Sequence, residues 1–327
     1  MSGLQRLHVV TGKGGTGKTT VAAALALALA ADGRRTLLVE VEGRQGIAQL
    51  FETEPLPYEE RRIASAPGGG DVYALAIDAE QALLDYLQMF YRMGSAGRAL
   101  RRLGAIDFVT TIAPGLRDVL LTGKACEAAR RQDKHGRHVY DAVVMDAPPT
   151  GRITRFLGVN AEVAGLAKAG PIHNHARSVM RVLTSARTAV HLVTLLEDMP
   201  VQETVDGVAE LREAGLQVGA AVVNMVRPAL MDEAELERAA ADPAALAAAL
   251  SAAGLGGASR GARAERLVAP LLRQAREHTE RLALERTQRA ALARLELPQY
   301  ELPLLTEGVD LAGLYRLSGE LGKQWPL

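Results

Sequence analysis

Short, nearly unbroken apolar runs recur along the chain: LHVVT at 7–11, TLLVEVEG at 36–43, DVYALAI at 71–77, YDAVVMD at 140–146, AVHLVTLL at 189–196 and LQVGAAVVN at 216–224. Runs that do not alternate with polar residues predict strands covered on both faces, the habit of parallel sheets. Between them lie stretches of helical period. The first, TTVAAALALALAADG, is apolar all round and stops at Gly33; others span Glu80–Met93, Arg98–Arg131, Ala161–Arg187 and Asp232–Leu295, the last interrupted near GLGGASRG. Strand and helix in alternation predict an α/β fold, a mostly parallel sheet with helices on both faces and helical insertions at about 79–131, 160–188 and 229–296. A ligand would then sit at the carboxyl ends of the strands. No repeat or composition break divides the chain, so 1–327 reads as a single domain. Asp242-Pro243 reads as a local helix break, and PGGGD at 67–71 as the most mobile loop.

Composition narrows the function classes. The 327 residues are 48% hydrophobic, enough for a full core, and 38 basic residues balance 38 acidic ones. Zero net charge removes the electrostatic case for a general nucleic-acid or anionic-membrane binder. The longest apolar run, Val21–Ala31, is too short to span a bilayer, and a glycine-lysine loop begins at Gly12, too early for a cleavable leader. A cytoplasmic protein without stable membrane insertion is expected. Cys126 is the single cysteine, so one copy of the chain can build neither a disulfide nor a thiolate cage.

Chemistry concentrates after the first strand. Gly12, Lys13, Gly14, Gly15, Thr16, Gly17, Lys18 and Thr19 fit GxxxxGK[ST] between a strand and a helix. Glycines let successive N–H groups converge on phosphate oxygens, and the helix adds the positive end of its dipole. The pattern places ATP or ADP here: Lys18 bridges the β and γ phosphates, Thr19 offers a hydroxyl to Mg²⁺, and Thr20 lies at the α-phosphate. Asp146 ends its strand where a carboxylate holds magnesium-bound water, and Gly151 behind it is a candidate hinge that senses the γ-phosphate.

Lys13 exceeds what a phosphate loop requires. KGGTGKTT resembles the deviant Walker A motif, whose additional lysine crosses a dimer interface. Together with MDAPPTGRITRFL and TLLEDMPVQETVDGVAEL followed by VVN, it makes the chain similar to the anion-transporting ATPase family, which includes arsenical pump-driving and tail-anchored-protein targeting ATPases. The nearest likeness is to an actinobacterial branch whose members come as two paralogous subunits. The resemblance implies a P-loop NTPase fold, Mg-dependent ATP hydrolysis and nucleotide-dependent dimerisation, as a homodimer or with a paralogue. It further implies a phosphate loop at Gly12–Thr20, Lys13 as the intersubunit lysine, Asp146 as a switch carboxylate, Asn224 as an adenine contact and Pro303–Glu307 beside the base.

Departures from the family pattern are equally informative. The first switch here reads EGRQGIAQLF, with Glu42 in place of an Asp and Gln49 in place of the Asp that positions attacking water. Gln orients water but accepts no proton as a carboxylate does, so slow hydrolysis is expected unless Glu42 does the work. Glu40 and Glu42 also stand where partition-type ATPases carry an Asp pair, although the short C-terminal segment LAGLYRLSGELGKQWPL has too few cations for a membrane anchor. A second reading is a weakly hydrolysing regulatory half of a heterodimer. Cys126 alone excludes a three-sulfur arsenite site and a CxxC zinc bridge. His173 and His175 read as exposed loop residues rather than a metal pair. Leu87, Met89, Phe90 and Met93 make a modest apolar face that reads as core before client groove; a client protein is left open.

Overall fold

The computed structural model describes residues 5–91, 114–166, 170–255 and 260–325. The elements are β1 (Leu7–Gly12), α1 (Lys18–Leu29), β2 (Arg35–Glu40), α2 (Gly46–Leu50), β3 (Arg61–Ser65), β4 (Asp71–Ala76), α3 (Ala79–Tyr91), α4 (Pro114–Arg130), β5 (Ala142–Asp146), α5 (Thr150–Leu166), α6 (Pro171–Leu183), β6 (Thr188–Thr194), α7 (Asp198–Glu213), β7 (Val218–Val226), α8 (Glu233–Ala241), α9 (Pro243–Ala252), α10 (Arg260–Ala293), β8 (Gln299–Pro303) and α11 (Leu311–Gln324). Among the described residues the strands form one eight-stranded sheet in the order β3-β4-β2-β5-β1-β6-β7-β8. Every ladder is parallel except β3–β4 at one edge. This is the expected α/β P-loop NTPase fold.

Both sheet faces carry a core, and period-two alternation within the apolar runs divides the side chains between them. Leu7, Val9, Leu37, Val39, Val143, Met145, Val190 and Leu192 pack with residues of α4 to α7, including Leu121, Phe156, Val179 and Leu211. Val10, Leu38, Val144, Val193 and Val222 face the other way, onto α1, α2 and α11. Every residue of α1 from Val21 to Leu29 is buried, which is why it shows no polar stripe. Its small alanines let the helix lie close over the strands, with Leu314, Leu317 and Leu321 of α11 in the same cluster.

The edge strands β3 and β8 escape the sequence pattern. RRIAS and QYELP are five residues each and mix polar with apolar positions, and few of them are buried, because an edge strand needs cover on one side only. A second compact unit comprises Leu196–Asp198 and Arg227–Arg294, overlapping the stretch read as the third insertion. Within it, Asp232 and Glu235 form a reciprocal capping box at the start of α8, and Asp242 caps α9 by accepting from the Ala245 N–H at 2.9 Å, with Pro243 at the first helical position. Asp242-Pro243 is thus the helix break that the dipeptide predicts. Buried Glu285 ion-pairs with Arg227 at 3.4 Å.

His173 and His175 require a correction. They lie on α6, which Pro171 opens after Gly170 at φ 100, so Gly-Pro starts a helix here instead of marking a loop. His173 Nδ1 lies 2.9 Å from the Ala164 carbonyl, and burial, followed by the charge of Arg130, pushes half-buried His175 below the usual histidine range. Met93 falls outside the described residues, as do the side chains of Leu87, Met89 and Phe90. Among the described residues no helix is long and apolar enough to cross a membrane.

Candidate nucleotide site

β1 occupies the middle of the sheet, flanked by β5 and β6, and its carboxyl end opens into the glycine loop. Gly12 is paired with Val193, and a Cβ there would stand 2.2 Å from the Val193 carbonyl oxygen. Only glycine lets the loop leave between two strands so closely spaced. Gly17 takes φ 85, where L side chains are strained, and a Cβ would meet the Asn224 amide nitrogen at 2.4 Å. It occupies the N-cap of α1 and offers no side-chain cap. The first N–H groups of α1 therefore point out of the helix without a side-chain acceptor, the arrangement that favours a phosphate. Thr16 closes the turn, its hydroxyl donating to the Lys13 carbonyl at 2.9 Å.

The Thr19 hydroxyl donates to Asp146 Oδ2 at 2.7 Å. Strand register explains the meeting: Asp146 is level with Val10 of β1 and with Glu40 of β2, while Thr19 lies in the first turn of α1 above that edge. Burial raises the Asp146 carboxyl to about 6; the Thr19 hydrogen bond and Lys18 oppose the shift, and Glu40 and Glu42 add to it. A desolvated carboxylate beside a hydroxyl suits a hard divalent cation, which takes few protein ligands and completes its shell with water and phosphate. Among the described residues no group of three or more His, Cys, Asp or Glu is arranged to hold a metal ion by itself.

The other predicted residues are placed as follows. Glu40 is buried, and both its oxygens accept backbone N–H groups, from Gln45 and, at 3.3 Å, from Ile47. It fastens the start of α2. Gln45, at φ 56, is strapped to the Leu56 backbone by two bonds of 2.7 and 3.2 Å. A Cβ on Gly46 would touch Thr19 Cγ2 at 3.2 Å, so α2 begins against the proposed metal ligand. Glu42 is largely buried and lies 3.6 Å from Arg44. Gln49 is exposed on α2. Thr20 follows Thr19 in α1, and Gly14 and Gly15 span the loop with no atom within 4 Å of a built Cβ, so their smallness serves whatever enters from outside.

Two partners have no signal in the sequence. Lys13 pairs with Glu203 of α7, 190 positions away, each about one-third exposed. Asn224, buried at the end of β7, donates to the Thr16 carbonyl at 2.9 Å, so it braces the phosphate loop. Leu304 N–H donates to the Val226 carbonyl at 2.9 Å, which sets the start of 303–307 beside the exit of β7. Behind Asp146, Thr11 donates to the Pro148 carbonyl at 2.7 Å, and the exposed Gly151 lies in the first turn of α5.

Comparison with known proteins gives the family. The chain is 53% identical over 322 residues to ATPase BagA of Mycobacterium tuberculosis, covering 98% of this chain and 93% of that protein. An arsenical pump-driving ATPase of Acidiphilium multivorum is 28% identical over 245 residues, covering 69% of this chain and 40% of the relative. ATPase GET3 of Kluyveromyces lactis is 27% identical over 187 residues, 53% and 52% of the two chains. The model of the anion-transporting ATPase family matches residues 5–186, which span β1, the glycine loop, both acidic strand ends and the helices up to β6. The chain belongs to the anion-transporting ATPase family.

Proposed function

We propose that the protein binds ATP with Mg²⁺ in the loop Gly12–Thr20 and hydrolyses it to switch a dimer between two conformations. The observation that carries this reading is the Thr19–Asp146 hydrogen bond of 2.7 Å beneath an uncapped helix N-terminus. Loop N–H groups and Lys18 would hold the β and γ phosphates, and Thr19 and Asp146 would hold the metal, Asp146 through water. Bound Mg²⁺ would supply charge neutralisation across the phosphates. Asn224 would keep the loop in its receptive shape and offer its remaining amide groups toward the base. Loss of phosphate release in Lys18→Ala and Asp146→Asn, with folding retained, is the expected result. Turnover unchanged in both would overturn the reading.

The dimer proposal rests on Lys13. A partly exposed ion pair contributes roughly 1 kcal/mol or less, so leaving Glu203 for a partner subunit's triphosphate costs little. Sedimentation with ATP, ADP and no nucleotide tests this: ATP-dependent assembly is expected, and its persistence in Lys13→Ala would overturn the cross-interface role.

Gln49 favours a second reading. It is exposed, Glu40 is engaged by backbone, and Glu42, with Arg44 3.6 Å away, is the carboxylate left for attacking water. A weakly hydrolysing regulatory subunit paired with a paralogue fits that arrangement. Turnover measured alone and with the paralogue separates the readings, and Glu42→Gln and Gln49→Ala identify the water-positioning group. The arsenical reading lacks support: burial pushes the Cys126 thiol up to about 12, which removes its thiolate. A protein client is open.

A further inference from the structure

At the amino ends of β1 and β6, four arginines line one cavity of about 490 Å³. Arg6 precedes β1, Arg187 precedes β6, Arg130 ends α4 and Arg181 lies in the last turn of α6. Neighbouring chain ends force the first two together, since the N–H groups of Arg6 and Leu7 both donate to the Arg187 carbonyl, at 2.7 and 3.0 Å. Arg130 is held by the Cys126 carbonyl at 3.2 Å and by the Ser178 hydroxyl, and Arg6 by the Tyr140 carbonyl at 3.1 Å. A guanidinium has five N–H donors in a fixed fork, so both keep donors to spare.

These cations are not balanced locally. The nearby acids are committed elsewhere: Asp133 to Arg137, Glu60 and Glu127 to Arg131, and Asp141 to the Arg35 N–H at 2.9 Å. Among the described residues, none of the four arginines has a carboxylate within ion-pairing distance. Arg130 and Arg181 would ordinarily offset the negative ends of their helices, each worth about half a charge. Allowing for both helix ends and for Asp141, an excess of about two positive charges is left. Burial pushes Arg6 below the usual arginine range; Asp141 opposes the shift and Arg187 adds a smaller push in the same direction as burial.

A fifth group lines the same space: His138, at the end of the turn bridged to Gln132. Leu7, Ala129 and Val182 supply apolar wall. The volume greatly exceeds a phosphate ion, so there is room for an organic portion. A polyanion such as nucleic acid fits poorly, since it requires a stripe of cations and the chain as a whole is neutral.

We propose that this cavity binds a small phosphate monoester, its dianion held by Arg6, Arg130, Arg181 and Arg187, with His138 as an additional donor. It is distinct from the nucleotide site, because Leu7 and Gly12 stand at opposite ends of the β1–β6 ladder, roughly 16–17 Å apart at the usual strand rise. One ligand therefore cannot be shared between them. The site is missing from the sequence pattern because its residues come from five separate segments.

The test titrates ribose 5-phosphate into Lys18→Ala protein, whose phosphate loop is disabled, by calorimetry. Binding at about millimolar affinity or tighter is expected, with no heat from ribose. Arg181→Glu combined with Arg187→Glu, both at exposed positions, is expected to weaken binding at least tenfold with the fold retained by circular dichroism. His138→Ala is expected to weaken it by a smaller factor. Absence of heat to about 10 mM, equal binding by the charge-reversed protein, or occupancy by a glutamate hexapeptide that the sugar phosphate fails to displace would each overturn the proposal.

Discussion

The two ends of β1 manage charge in opposite ways. At its carboxyl end, backbone does most of the work: one contiguous loop presents N–H groups, and the carboxylates beside it are fastened, Glu40 by Gln45 and Ile47 and Asp146 by Thr19. At its amino end, arginines from distant segments converge with their acids engaged elsewhere, while the adjacent histidines are kept neutral. His8 Nδ1 lies 3.1 Å from His191 Nε2, both fully buried and packed against Trp325. Burial lowers His8 to about 4 and takes His191 well below its ordinary value. One end of the strand gathers its polar groups by contiguous local geometry, the other by packing alone.

The largest expected effect lies at the carboxyl end. Lys18→Ala should reduce ATP turnover by about a hundredfold or more, the scale of a lost transition-state charge donor, measured by phosphate release; a small change would erase the contrast. Gly12→Ala should cost about 3 kcal/mol in denaturant unfolding, since the new methyl meets the Val193 carbonyl and the strands must part.

The amino end should answer to pH. A histidine depressed in the folded state is protonated first in the unfolded chain, so its contribution is present above about 6.5 and is lost as pH falls toward 4. Lowering pH from 8 to 5 should cost about 2 kcal/mol from His8 alone, with His191 adding in the same direction. Asp146 opposes this, because a raised carboxyl is relieved as pH falls. The measurement is therefore made on Asp146→Asn, and a flat profile there would contradict the neutral histidine pair. Asn224→Ala should cost about 1 kcal/mol through the unpaired Thr16 carbonyl, and weaken nucleotide binding more than it weakens folding. The smallest stability effect belongs to Lys13→Ala, under about 1 kcal/mol, although loss of ATP-dependent assembly should accompany it.

Much of the carboxyl end was legible because its information is local. Gly12, Gly17, Lys18 and Thr19 are contiguous, and Asp146 is marked by the strand that it ends. The edge strands β3 and β8 were not legible, since one-sided cover leaves no apolar run. His173 and His175 were misplaced in a loop within the helical stretch Pro171–Leu183, because Gly-Pro is a turn signal as readily as a helix start. The Lys13–Glu203 pair and the Asn224 brace depend on β7 and α7 arriving beside the loop, and no spacing announces that.

Hydrophobic period and the glycine-lysine loop, by themselves, determined the parallel sheet, its covering helices and the place where a phosphate would be held, because burial and backbone conformation act over a few neighbouring residues. Tertiary structure alone decided that Glu40 fastens α2, that Asn224 supports the loop, that two histidines stay neutral inside the sheet, and that four arginines share one cavity. Those outcomes follow from desolvation and charge proximity, which depend on distance in space and are blind to distance along the chain.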